Sequence, residues 1–244
     1  RPSDADPNRL REAWTQGEAE DSRYWFPSHD HPNDQATSSV TATVDGRYTV
    51  VSNGALLGVE RAKRSSLKTW RWYESRPHVT YLTSLAIGEF DEAHETWRDI
   101  PVDYYVPRGM GDWIDLNFHT TLPGLDFFSD FIGVPYPYEK YAQVSVTDFM
   151  FGGMENISAT TLTRSALRDP VADMESDIDG LVAHELAHQW WGDMITCRDW
   201  SHIWLNEGFA SYTEALWYEY YYAEEGLQSY VQYQTESYKE WNEY

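Results

Sequence analysis

The chain has 244 residues, room for one large domain or two modest ones, and a folded chain of this size buries about 70% of its extended surface. Its 41% hydrophobic and 16% aromatic content excludes a disordered chain, and 40 acidic against 18 basic residues argue against nucleic acid as a partner, because phosphate binding needs a basic face. A single cysteine, Cys197, excludes an internal disulfide framework and leaves the compartment open, cytoplasmic or exported.

In chain order, residues 40–106 read as strands. VTATV (40–44), RYTVVS (47–52), HVTYLTSLAI (78–87) and VDYYV (102–106) alternate β-branched and aromatic residues between DG, NG and Pro breaks. After VPRGMGD (106–112) the apolar spacing turns helical through WIDLNFHTTLPGLDFFSDFIG (113–133) and stops at GVPYPYEK. The change predicts a β-rich domain over 1–106 and a mainly helical one over 107–244, an α+β fold. AQVSVTDF (142–149) reads as a short strand leading into the glycine-bearing MFGGMENISAT. Residues 177–191 carry Ile178, Leu181, Val182, Leu186 and Trp190 at helical spacing, ended by Gly192, and further helices are expected from about Trp204 and about Leu227. No apolar run approaches the ~18 residues of a membrane span.

LVAHELAHQWWGD (181–193) carries the chemistry. Residues four apart stand on one helix face, so His184 and His188 converge on a single ion, while Glu185 flanks that face where a general base reaches a water. Catalytic zinc takes three protein ligands and leaves a position for water. Glu207, nineteen positions after His188 in WLNEGFASYTEALW, is the expected third ligand. Glu214, seven residues on and on the same face, is expected to orient a ligand histidine. Cys197 and His202 are not needed to fill the set, and turn chemistry accounts for His29 and His31. Endopeptidases and aminopeptidases share this metal pattern, so the metal residues alone leave both open.

The chain resembles the zinc aminopeptidases of the gluzincin group, which include the alanyl and leucyl aminopeptidases and the leukotriene hydrolase. The resemblance rests on HExxH, eighteen residues and Glu, met at His184, Glu185, His188 and Glu207, and on GGMEN, Gly152 to Asn156, where the family commonly has Gly-Ala-Met-Glu-Asn. TQGEAEDSRYWFPSHDHPNDQAT, VVSNGALLG and TYLTSLAIGEF resemble its saddle-shaped β domain. The resemblance implies a partial saddle domain followed by a truncated thermolysin-like domain, with one zinc ion per chain. It implies peptide substrates with a free amino terminus, held by Glu155 and Glu18 along a loop of Gly152, Gly153, Met154 and Asn156. A catalytic tyrosine and a C-terminal helical domain would fall past Tyr244, so a central piece of a longer enzyme is expected, weak in activity alone. An epoxide hydrolase on the same site and a zinc-binding module without catalysis are the alternatives. The formal charge of −22 is expected to be a solvated surface, and a salt-adapted source would explain it.

Overall fold

The computed structural model describes residues 10–174 and 176–242. Alternating apolar residues in the first half form two small antiparallel sheets. One contains β1 (Ala13–Trp14), β3 (Thr49–Ser52) and β6 (Leu85–Gly88), in the order β1-β6-β3. The other contains β2 (Gln35–Asp45), β4 (Ala55–Arg61) and β5 (Leu67–Val79), in the order β2-β5-β4.

The run expected as one strand over 78–87 is broken. Val79 ends β5, Thr80–Leu82 form a 3₁₀ turn, and β6 starts at Leu85. Period-2 alternation does not reveal this turn, because long-range bonds make it: Asn53 donates from Nδ2 to the Leu82 carbonyl, and the Ser84 N–H donates to Asn53 Oδ1. The turn carries Tyr81 into the interior.

Five further strands form the central sheet, in the order β10-β11-β9-β8-β7. They are β7 (Phe90–Trp97), β8 (Ile100–Pro107), β9 (Tyr141–Val146), β10 (Gly153–Met154) and β11 (Thr160–Thr163). β8 and β11 run parallel to β9, whose six residues are all buried. The expected division near residue 106 falls at the end of β8, inside this sheet.

The predicted helix over 113–133 is two, α1 (Ile114–Phe118) and α2 (Thr121–Ile132). The second ends on Gly133 at φ 77°, a left-handed position suited to glycine. The metal-motif helix α3 covers Asp179–Ala187, shorter than expected from 177–191. Its end unwinds because Asp193 N–H and Ile195 N–H return to the carbonyls of His188 and Trp190, closing a turn at Gly192. The two helices expected from about Trp204 and about Leu227 are both present within the run α4 (Trp204–Asn242), which Ala223 divides in two with a non-helical φ of 59° and ψ of −164°. Among the described residues one buried cluster runs from Val51 and Tyr81 through β8 and β9 to Leu186 and Trp217, so this core supports both halves. Among the described residues, no helix is long and apolar enough to cross a membrane.

Candidate metal centre

α3 presents His184 and His188 on one face, and its other faces pack: Val182, Ala183, Leu186 and Ala187 are all buried. α4 crosses so closely that a Cβ on Gly180 would lie 2.8 Å from Glu214 Oε1, and this approach brings Glu207 and Glu214 to the histidines. His184 Nε2 and His188 Nε2 are 3.0 Å apart, and each lies 3.5 Å from Glu207 Oε2. The three atoms form a compact triangle around which one ion fits.

The outer nitrogens decide what the triangle can hold. His188 Nδ1 faces the Trp191 carbonyl at 2.7 Å, and His184 Nδ1 faces Glu214 Oε2 at 3.3 Å. Both partners are acceptors, so each Nδ1 carries a hydrogen and each Nε2 is left to give its lone pair to the cation, proton or metal ion, that enters the triangle. Two lone pairs and a carboxylate oxygen converging on one point call for a cation, and the donor set suits zinc. The ionisation of these groups reflects the same surplus of negative charge. Burial alone would depress His184, but Glu207 and Glu214 hold it well above the usual imidazole range. Burial likewise acts against Glu207, yet His184 and His188 hold its carboxyl well below the usual range.

Glu185, 5% exposed, is pushed up to about 7 by burial, with His184 and His188 opposing the rise. Its Oε2 has no hydrogen-bond partner among the described residues. Gly153 matters here: a Cβ at that position would sit 2.2 Å from Glu185 Oε1. Gly153 and Met154 form the edge strand β10, paired on one side to β11. Glu155 follows, 3% exposed, with Oε1 accepting from Tyr81 Oη at 3.2 Å. Asn156 is buried and accepts from Thr161 Oγ1 at 2.8 Å. Glu18, half-buried, is raised to about 8, first by burial and then by the Glu155 and Glu207 carboxylates, so it belongs to the same acidic cluster.

Several supporting residues have no local signature. Gln189 donates from Nε2 to the Glu155 carbonyl and accepts at Oε1 from the Ser158 N–H, tying the GGMEN loop to the residue after His188. Tyr81 reaches Glu155 from 74 positions away, too far for any spacing rule. Asn206 could have been suspected from its place beside Glu207. Cys197 lies buried with its N–H on Asn206, and His29 and His31 sit in a turn where the Asp34 N–H donates to the His31 carbonyl.

A family model described as "Peptidase family M1 domain" matches residues 116–243, and one described as "Peptidase M1 N-terminal domain" matches 7–82. The chain is 35% identical over 209 residues to Aminopeptidase M1 of Arabidopsis thaliana, covering 84% of this chain and 24% of that protein. It is 34% identical to Aminopeptidase N of Oryctolagus cuniculus, covering 85% and 22%. With Aminopeptidase N of Streptomyces lividans it shares 31% identity, covering 83% and 24%. The chain thus spans about a quarter of the length of these curated relatives. On the family match and on the ligand pattern it contains, the chain belongs to peptidase family M1.

Proposed function

We propose that the chain carries the centre of a zinc-dependent aminopeptidase, on a thermolysin-like arrangement of α3 and α4, that releases single residues from peptide amino termini. His184, His188 and Glu207 would hold one zinc ion, with Glu214 and the Trp191 carbonyl fixing the two imidazoles. When bound, zinc supplies a Lewis acid that lowers the pKa of a water and polarises the scissile carbonyl.

Glu185 takes the proton of the attacking water as the water adds to that carbonyl. It then returns the proton to the departing amine, so one carboxylate serves as base and then as acid. The edge of β10 away from β11 pairs with no strand among the described residues, and with no side chain on Gly152 or Gly153 a substrate backbone can lie alongside as an added strand.

The observation that carries the choice of an aminopeptidase is Glu155, a buried carboxylate beside the ligand triangle, with Glu18 near it. A substrate α-ammonium paired there places the first peptide bond at the centre and no other. Glu155→Gln is expected to raise KM for a substrate with a free amino terminus by about tenfold or more while zinc stays bound. Equal cleavage of free and N-acetylated peptides would instead point to an endopeptidase.

A further inference from the structure

A buried chain of hydrogen bonds, directed at every link, ends on Glu155. It starts at the Cys197 backbone N–H, which can only donate and gives its hydrogen to Asn206 Oδ1 at 3.0 Å. That contact assigns the Asn206 amide, so Nδ2 faces Tyr81 and donates to Oη at 3.0 Å. The Tyr81 hydroxyl, already accepting from Asn206, sends its own hydrogen to Glu155 Oε1 at 3.2 Å. Tyr81, Asn206 and Glu155 are at most 3% exposed, so solvent competes little for these bonds. The rings of Trp200 and Tyr81 pack edge to face with centroids 5.1 Å apart, which holds the phenol in place. Gly17, just before Glu18, lies so close that a Cβ there would fall 2.7 Å from the Tyr81 carbonyl oxygen. Tyr81 therefore touches the segments of Glu18, Glu155 and Glu207 together.

We infer that Tyr81 is a positioning residue for the substrate's amino terminus: it engages Glu155 Oε1, turns Oε2 toward an α-ammonium, and through Asn206 ties that orientation to the helix bearing Glu207. The inference rests on the reading of Glu155 as the ammonium anchor. A residue of the saddle side thereby sets the reach of an anchor on the catalytic side.

The test uses the zinc-loaded full-length protein with L-alanine p-nitroanilide. Tyr81→Phe keeps the ring and removes only the hydroxyl. It is expected to raise KM about tenfold, to leave kcat within about twofold, and to leave zinc per chain unchanged. Asn206→Asp keeps an acceptor for Cys197 but offers Tyr81 a second carboxylate, so KM is expected to rise in the same direction. In a Glu155→Gln background, Tyr81→Phe should add less than about twofold, because it acts through that carboxylate. A full effect persisting in that background, a loss confined to kcat, or a loss of zinc or fold in Tyr81→Phe would each overturn the role of Tyr81. If Glu155→Gln alone left KM unchanged, the anchor reading beneath it would fall instead.

Discussion

Glu185 and Glu155 are buried carboxylates near the same imidazoles, and their surroundings differ in the way the tasks proposed for them require. Glu155 has a hydroxyl donor on one oxygen, whereas Glu185 Oε2 has no hydrogen-bond partner among the described residues. A buried carboxylate oxygen left without a donor costs stability, so it persists where a proton has to come and go. Glu185→Gln is therefore expected to retain zinc while kcat falls by about 10²- to 10⁴-fold. Glu207→Ala removes a ligand from the triangle, and elemental analysis should show zinc lost or sharply weakened. Near-native kcat in the first variant would remove Glu185 from proton transfer, and full zinc in the second would remove Glu207 from the ligand set.

At the scale of elements, the two halves are locked by polar groups as well as by core. Asn53 Nδ2 donates to the Ile157 carbonyl at 2.7 Å, and Gly54 N–H donates to Ser158 Oγ, which in turn donates to Glu74. Lys140, 3% exposed, completes this group by donating from Nζ to the Ser158 carbonyl at 2.8 Å. Burial pushes its ammonium down to about 8 from the ordinary 10.5, with Asp103, Glu74 and Glu139 opposing the fall. Below pH 8 the folded and unfolded chains both carry the proton, and the burial cost is fully present. Between about 8 and 10.5 the folded chain releases it first, so this site adds stability as pH rises, by about 3 kcal/mol at most. Urea unfolding across that window should show the gain in the native chain and not in Lys140→Met. An unchanged pH slope in the variant would count against the assignment.

For the whole molecule, the decisive quantity is a formal charge of −22 with four lysines in 244 residues. Self-repulsion of that size destabilises a compact state and is screened within a Debye length of ~10 Å at about 0.1 M salt. The midpoint of thermal unfolding is expected to rise by roughly 5 °C or more between about 0.1 and 2 M potassium chloride. A midpoint indifferent to salt would show that the acidic residues are spaced too widely to repel.

The sequence by itself determined the chemical types and order of the residues proposed for the site. His184 and His188 must share a helix face, Glu207 follows at the family distance, and GGMEN precedes both, because side-chain direction along one helix is a local property. It also determined that strands dominate early and helices late. Only the tertiary structure decided that it is His184 that Glu214 meets, that the Trp191 carbonyl takes the outer nitrogen of His188, that Gly153 leaves room for Glu185, and that the alternating run at 78–87 breaks to bury Tyr81. It likewise joined Tyr81 to Asn206, 125 positions apart, and to Glu155. Periodicity reports which way a side chain leaves its own backbone. Which partner it meets there depends on how distant elements pack, and that is settled only when the core closes.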